Sequence, residues 1–368
     1  MMENQKQQRV EVLDGLRVVA ILMVMIYHFY CRFSGTHYSY SFQRPEIFNY
    51  GYLGVELFFI ISGFVITLTL AKCKNFLFFI KKRFIRLIPG MIVCSILTFL
   101  YINAFDSYNL FGSSKSIFNL FVSNTFLSPD LINAISGSNF KYIDGAYWSL
   151  WVEIQFYILA GILFFYSPAK FLRNFTILAF VAILSLTAIS SNSIAVPLSK
   201  VLGESGFISV RNFAHIFSFC EYSLWFLLGI LVHKLYFGIK EVKYLLQFLG
   251  VFLFQMILLK NPYAIIFAVF VLSIFLIFIY RQHWLDFLAN NLFRKLGVAS
   301  YSVYLIHQYI GVLTINKLSG IFGELNWMIP ILLIFSFCAF GIVSYKYFEN
   351  PFGKWLNKIF FKTKTLSR

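Results

Sequence analysis

The sequence has 368 residues, of which 59% are hydrophobic, 20% aromatic and only 12% charged, and its formal net charge is +16. A soluble domain cannot bury so large an apolar fraction, so the composition excludes an ordinary soluble protein and predicts a polytopic membrane protein. The five cysteines are scattered without a Cys-x-x-Cys spacing, and we expect neither a disulfide framework nor a metal site.

Apolar segments of membrane-spanning length recur along the whole chain. A helix needs ~17–25 residues, or a tilt, to cross the bilayer. About ten segments qualify, at 12–33, 51–71, 87–105, 146–166, 174–191, 213–233, 244–259, 263–280, 298–316 and 328–348. We therefore predict an all-α polytopic integral membrane protein with about ten transmembrane helices. Residues 1–368 are expected to form a single transmembrane domain with no appended soluble domain.

The distribution of lysine and arginine predicts the orientation of these helices. With the N-terminus inside, the inside segments hold 22 of these residues and the outside segments hold 8, while Arg17 lies in the membrane. This asymmetry predicts that both termini are cytoplasmic. Topology thus accounts for the basic charge, and we expect no nucleic-acid partner. The longest outside stretch, 106–145, contains an amphipathic piece at 117–126 that is expected to lie on the membrane surface.

Several ionisable residues lie within the predicted spans, where a charge costs ~2.5–3.5 kcal/mol and therefore faces a cavity or a partner. They are Asp14, Arg17, His28, Glu56, Glu153, Glu221 and His307. Arg17 and His28 are eleven residues apart, almost three turns, so they share one helix face ~16 Å apart along the axis. The predicted depths allow four of these residues to meet in the middle-to-outer membrane: His28, Glu56, Glu153 and His307.

Each of these residues also has a structural interpretation. Arg17 alone is explained by a side chain that extends to the membrane interface, and His307 by a hydrogen bond between helices. Glu221 is more typical of a structural partner than of a catalytic group. His28 has no such explanation, because it lies deep in the span and is aligned with Arg17.

Two further stretches carry polar or small residues at informative positions. In FFIKKRFIRLIPG, Arg83 and Arg86 are i,i+3 neighbours on a predicted helix, a spacing that can hold a phosphorylated ligand. Such basic segments also set topology or contact anionic lipid. In GYLGVELFFIISGFVIT, Ser62 and Gly63 interrupt an apolar helix. Small residues there permit close helix packing or the passage of a ligand near the backbone.

Together these stretches resemble the membrane-bound acyltransferase 3 family, whose members move acyl groups onto extracytoplasmic carbohydrate. The family's Arg-x10-His signature is matched by Arg17 and His28. Its Gly-Val-acid-Phe-Phe-x-x-Ser-Gly-Phe stretch is matched by GVELFFIISGF, with Glu56 where Asp is more usual. The other matching motifs are RFIRLIPG with Arg83 and Arg86, WSLWVE ending on Glu153, and SYSVYLIHQ with His307.

The resemblance runs from about residue 11 to residue 352, nearly the whole chain. Any one motif is weak, but five in the expected order and on the predicted sides of the membrane are specific. FENPF resembles a terminal acid-basic-Pro pattern, but Asn350 replaces the usual basic residue. We assign no role to this last motif.

The resemblance implies an O-acyltransferase in a bacterial inner membrane, and an O-acetyltransferase in particular, because acetyl is the commonest acyl group in the family. The donor would be cytoplasmic acyl-CoA, commonly acetyl-CoA, and the acceptor a hydroxyl of a carbohydrate or lipid-linked glycan, such as lipopolysaccharide or exopolysaccharide. Membrane lipids would be the other partners, and no metal is implied. The residues implied for catalysis are His28 as base or acyl carrier, Arg17, Glu153, His307 and Asp14. Those implied for binding acyl-CoA are Arg83, Arg86, Arg17, Ser62 and Gly63.

Two other functions fit the composition. A transporter or exporter of a glycan or lipid-linked precursor would also have about ten spans and buried charges. However, no inverted repeat is visible, since WSLWVE has no counterpart in the second half. A non-catalytic lipid-binding scaffold would leave Arg17 and His28 unexplained.

Overall fold

Helices form almost all of the protein in the computed structural model, which describes residues 10–33, 35, 40, 42, 44–238, 241–259 and 261–361. These ranges contain fourteen α-helices and no strand. The helices are α1 (Glu11–Tyr27), α2 (Gly54–Leu70), α3 (Phe76–Phe105), α4 (Ile117–Asn124), α5 (Pro129–Ser136), α6 (Trp148–Tyr166), α7 (Phe171–Ser190), α8 (Asn192–Ile216), α9 (Phe219–Phe237), α10 (Val242–Leu259), α11 (Pro262–Tyr280), α12 (Asn291–Phe322), α13 (Met328–Ser344) and α14 (Asn350–Phe360).

The structure confirms the all-α polytopic class. Within the described ranges, nine continuous helical runs are long and apolar enough to cross a membrane. The last of them, Asn291–Phe360, contains both α12 and α13, which a short turn at Gly323–Trp327 separates. The predicted spans at 298–316 and 328–348 therefore correspond to two antiparallel helices of one run.

Glycines set the closest helix contacts in the bundle. α1 and α12 lie side by side, with Gly297 against the backbone of Asp14 and Gly311 against the ring of Phe29. α2 and α9 cross where Gly63 faces Gly229, and a Cβ on either would collide with backbone of the other helix. Small residues allow the two helix backbones to approach this closely. Such packing matters in a membrane because the hydrophobic effect does not drive helices together there.

Two helices differ from their predicted limits. α3 begins at Phe76, where the Asn75 side chain accepts from the Phe78 N–H at 2.9 Å, so the helix starts well before the predicted span at 87–105 and also carries Arg83 and Arg86. Residues 192–212, which have no predicted span, continue as α8 with a kink at Gly203, whose φ is 71°. The apolar fraction of this segment is too low for a prediction from hydropathy.

The segment 117–126 contains α4, whose polar side chains face the protein while Ile117, Phe118 and Phe121 are exposed, and its location on the membrane surface stays a prediction. α4 packs along α3, and the Asn124 amide donates to Ser95 Oγ, in the middle of α3, at 2.9 Å. The Ser123 hydroxyl accepts from the Ile143 N–H at 2.8 Å, so the returning chain is bonded to the same helix. These bonds satisfy the polar face of α4 inside the protein.

Candidate active site

A wide cavity opens at the end of the bundle where α1 and α3 begin, which we call the basic end. Its volume is about 620 Å³, and it lies between α1, α3, α12 and α14. The cationic side chains that line it are Arg17, Lys82, Arg83, Arg86 and Lys354. Two carboxylates also line the cavity: Asp14, which forms an ion pair with Arg17, and Glu349, which is buried and accepts from Ser302 Oγ at 2.6 Å. The cavity is therefore predominantly cationic.

A smaller cavity of about 100 Å³ lies deeper in the bundle. Arg17, Arg83 and Arg86 line both cavities, so the two form one continuous space. In the deeper cavity Ser62 Oγ donates to Glu153 Oε1 at 2.7 Å. Most of the remaining lining is apolar or aromatic, which suits an apolar chain behind a charged head group.

Arg83 and Arg17 differ in how their charges are satisfied. The Arg83 guanidinium lies over the Phe79 ring at 6.0 Å, and its Nε is buried with no hydrogen-bond partner among the described residues. Arg17 forms an ion pair with Asp14 at 2.9 Å, and Asp14 is only 1% exposed. A buried donor without a partner is costly, so Arg83 is the stronger indication of an anionic ligand.

Two histidines meet at the far end of α1. His28 Nδ1 lies 2.9 Å from His307 Nε2, and His307 Nδ1 lies 2.7 Å from the carbonyl oxygen of Tyr304. His307 is fully buried. His28 begins a π-helical turn, His28–Arg32, at the end of α1. Such turns occur frequently at functional sites because they redirect side chains.

The partners of the histidines fix their tautomers. A carbonyl oxygen only accepts, so neutral His307 carries its proton on Nδ1 and accepts at Nε2. His28 must then donate from Nδ1. Its Nε2 therefore carries no proton and keeps its lone pair. This chain of two bonds orients His28 as a base or a nucleophile.

Tyr304 connects the deeper cavity with the histidine pair. It lines the cavity, and its ring centroid lies 5.5 Å from that of His307. Its hydroxyl is hydrogen-bonded to Ser149 Oγ at 2.7 Å and donates to the Ala146 carbonyl at 3.1 Å. Tyr304 therefore lies between the deeper cavity and His307.

Asp144 holds the segment of α12 that carries His307. Its two carboxylate oxygens accept from the Ala146 N–H at 2.8 Å and the Tyr309 N–H at 2.9 Å, and it is fully buried. Burial raises the pKa of Asp144 to about 7. The loop before α6 is thereby fixed to α12 two residues from His307.

The structure separates the residues that the sequence placed together. His28 and His307 are in contact, whereas Glu153 bonds to Ser62 in the deeper cavity. Asp14 lies at the other end of α1 beside Arg17. Two other residues singled out from the sequence lie outside both cavities. Glu56 is in the first turn of α2, and Gly63 faces α9.

Three residues of the site were missed from the sequence. Tyr304 lies in the quoted SYSVYLIHQ segment, three residues before His307 on the same helix face, and this spacing could have indicated it. Glu349 is the acid of FENPF, the motif to which no role was assigned. Asp144 lies just before a predicted span, and nothing in its local sequence indicates its bond to α12. Among the described residues, no group of three or more His, Cys, Asp or Glu side chains could hold a metal ion.

The fold and the site together define a multi-pass membrane protein with a cationic cavity and a hydrogen-bonded histidine pair beside Tyr304, which lines the deeper cavity. An acyltransferase family model matches residues 10–346. The chain therefore belongs to the acyltransferase 3 family. No solved structure matches it.

Curated relatives share parts of the chain. It is 32% identical over 156 residues to an O-acetyl transferase of Shigella phage Sf6, a match covering 40% of this chain and 44% of that protein. It is 30% identical over 158 residues to the O-acetyltransferase OatA of Staphylococcus aureus (strain NCTC 8325 / PS 47), covering 40% of this chain and 23% of the relative. A putative O-acetyltransferase of Staphylococcus aureus (strain COL) is 25% identical over 377 residues, covering 95% of this chain and 58% of the relative.

Proposed function

We propose that the protein is a membrane O-acetyltransferase that moves an acetyl group from cytoplasmic acetyl-CoA to a hydroxyl of an extracytoplasmic or lipid-linked carbohydrate. The observation that carries the proposal is the hydrogen-bonded pair of His28 and His307 beside Tyr304, a residue that lines the deeper cavity. The names of the relatives support acetyl as the acyl group. The distribution of charge supports a cytoplasmic basic end and insertion in a bacterial inner membrane.

The two cavities suit the two parts of acyl-CoA. The phosphates would bind the cations of the wide cavity, above all Arg83, because a guanidinium donates several hydrogen bonds to one phosphate group. The less polar pantetheine arm would extend into the deeper cavity beside Ser62 and Glu153. The thioester would then lie near Tyr304, next to the histidine pair.

His28 would act through its Nε2 lone pair. As a base, it takes the proton of the acceptor hydroxyl while the hydroxyl oxygen attacks the thioester carbonyl. The carbon–sulfur bond then breaks, and the proton passes from His28 to the departing CoA thiolate. As a nucleophile, Nε2 would instead attack the thioester carbonyl and release CoA as its thiolate. The acceptor hydroxyl would then take the acetyl group from Nε2, and its proton would pass to the CoA thiolate. In both routes His307 holds His28 in place and stabilises its added charge.

A transporter of glycan precursors is the second candidate. It would use the same buried charges to line a route without making a bond. The family membership and the oriented histidine pair support the enzyme instead, because transport does not require a free imidazole lone pair.

The test uses purified protein in nanodiscs with radiolabelled acetyl-CoA and a carbohydrate extract from cells that naturally express it. The wild type should release CoA and label the carbohydrate. His28→Ala should abolish both while leaving the protein level and acetyl-CoA binding intact. The exposed His283 provides a matched control, and His283→Ala should retain full activity. Normal labelling by His28→Ala would refute the role of His28, and a wild type that binds no acetyl-CoA would favour the transporter.

A further inference from the structure

Three helices begin close together at the end of the bundle opposite the basic end. α2, α6 and α9 bring four side chains of their first turns into one region: Glu56, Trp148, Glu221 and Tyr222. We call these four residues the acidic–aromatic cleft. None of them lines the two cavities assigned above to acyl-CoA.

Aromatic rings form one side of the cleft. The Trp148 and Tyr222 ring centroids lie 5.3 Å apart at 39°, and Tyr222 also packs against Phe59 at 5.1 Å. Trp148 and Tyr222 are both half-buried, so packing holds the rings while leaving part of each surface accessible. Rigid aromatic surfaces of this kind offer a negative ring face to the polarised C–H groups of a ligand.

Carboxylates form the other side of the cleft. Glu221 is exposed, whereas Glu56 is half-buried and its Oε2 is fully shielded, with no hydrogen-bond partner in the described part of the chain. Glu56 and Glu221 lie close enough for their charges to interact. A shielded carboxylate oxygen without a donor is costly, and the half-buried Glu56 still exposes another part of its side chain to a ligand.

The cleft adjoins the deeper cavity through Phe59, which packs against Tyr222 and also lines that cavity. Tyr27, which precedes His28, packs against the His28 ring at 5.4 Å and against the ring of Tyr52 at 5.6 Å. Phe58, two residues after Glu56, packs edge-on against Tyr304 at 5.9 Å. Phe58 and Tyr304 both line the deeper cavity, so a ligand in the cleft would lie close to that cavity.

We propose that Glu56, Trp148, Glu221 and Tyr222 bind a sugar ring of the acceptor carbohydrate, an inference that rests on the proposed function. The apolar face of a pyranose would lie on the aromatic rings, and its hydroxyls would donate to the carboxylates. The exposed carboxylate of Glu221 repels anions, so the sugar at this position would be neutral or positively charged, such as a hexose or an amino sugar. The same charge keeps the phosphates of acyl-CoA out of the acceptor site.

The experiment uses the protein in nanodiscs and measures two quantities separately: the dependence of transfer on carbohydrate concentration and the binding of acetyl-CoA. Transfer of radiolabel from acetyl-CoA is followed against increasing concentrations of the carbohydrate extract, and binding of acetyl-CoA is measured in parallel. Trp148→Ala and Glu56→Gln should each raise the half-saturating carbohydrate concentration at least tenfold, with acetyl-CoA binding unchanged within twofold. Glu324→Gln and Trp355→Ala, both exposed and outside the cleft, are the matched controls and should behave as the wild type.

The possible outcomes separate this inference from the function on which it rests. Unchanged half-saturation in Trp148→Ala and Glu56→Gln would overturn the acceptor site while leaving the acetyltransferase in place. Loss of acetyl-CoA binding in both variants would also overturn it, since the cleft would then serve the donor or the fold. A wild type that binds acetyl-CoA but transfers no label would overturn the proposed function and this inference with it.

Discussion

At the scale of single residues, the orientation of His28 depends on atoms from the other end of the chain. His307 accepts one hydrogen bond and donates another to a backbone carbonyl, which leaves His28 Nε2 free to react. The proposed roles thus differ: His28 touches the substrates, and His307 is a positioning residue. His307→Gln should therefore lower kcat and leave the KM for acetyl-CoA nearly unchanged.

Removal of the His307 ring gives the first prediction at this scale. We expect kcat to fall by a factor of about 100, the lower end of what positioned proton transfer contributes. Steady-state release of CoA, measured over a range of acetyl-CoA concentrations, separates kcat from KM. If kcat were unchanged and kcat/KM fell because the KM for acetyl-CoA rose, His307 would serve the donor site instead.

The second prediction at this scale concerns Arg83. Its buried Nε lacks a partner in the described structure, so a ligand phosphate is expected to supply one. Arg83→Gln should raise the dissociation constant of acetyl-CoA by about 10- to 100-fold, because a hydrogen bond to a charged group contributes ~1.5–3 kcal/mol. Isothermal calorimetry measures this, with the exposed Arg173→Gln as control. Unchanged affinity would place the phosphates elsewhere.

At the scale of secondary-structure elements, contacts between helices depend on positions that cannot hold a side chain. α2 and α9 approach so closely at Gly63 and Gly229 that a Cβ on Gly229 would collide with the backbone of Ile60. Backbone cannot move aside as a flexible side chain can. The two helices would have to separate, which would also displace the Ser62–Glu153 pair of the deeper cavity.

Gly229→Ala should therefore destabilise the protein by about 1–3 kcal/mol, the usual cost of overpacking. Thermal unfolding in detergent, followed by the exposure of buried cysteine, measures the loss. Gly250→Ala is the matched control, because a Cβ there meets nothing within 4 Å and alanine has the better helix propensity. Equal melting temperatures for the Gly229→Ala variant and the wild type would show that the α2–α9 contact is adaptable.

Asp144, which joins the loop before α6 to α12 through hydrogen bonds, gives a prediction about pH. Burial raises the pKa of Asp144 from 3.8 to about 7, so its contribution to stability is fully present below pH 3.8 and is lost as the pH rises through 7. Asp144→Asn cannot ionise. The stability of the wild type relative to Asp144→Asn should thus fall by up to about 4 kcal/mol between pH 4 and pH 8. Melting temperatures across this range test it, and a constant difference would contradict it.

At the scale of the whole molecule, the two ends of the bundle differ in chemistry. The basic end carries the cationic cavity, whereas the opposite end carries Asp144, Trp148 and Glu221. A donor from one side and an acceptor from the other could then meet at the histidine pair without either crossing the membrane. This arrangement requires the basic end to be cytoplasmic.

Single cysteines in a background without the five native ones test the orientation. Ser138 and Lys170 are exposed and lie in connections at opposite ends of the bundle. In intact cells an impermeant maleimide should label Ser138→Cys, and it should label Lys170→Cys only after permeabilisation. The reverse pattern would invert the topology and place the proposed acyl-CoA cavity on the wrong side.

The sequence by itself determined the class of fold, the approximate spans and the residues with no place in a lipid-facing helix. Hydropathy and helical periodicity are local, so they identified Arg17 and His28 on one face of α1 and Arg83 and Arg86 on α3. The distribution of lysine and arginine is also read directly from the sequence, and it predicted the orientation.

Only the tertiary structure decided which of these residues meet. α2 and α9 are apolar on every side, since lipid-facing and buried faces have the same hydrophobicity. Their rotation about the helix axis therefore could not be predicted, nor could the separation of Glu56 from Glu153. The bonds from His28 to His307 and from Asp144 to Tyr309 join residues 279 and 165 positions apart. Packing of α12 against α1 and α6 brings them together, and no local pattern encodes it.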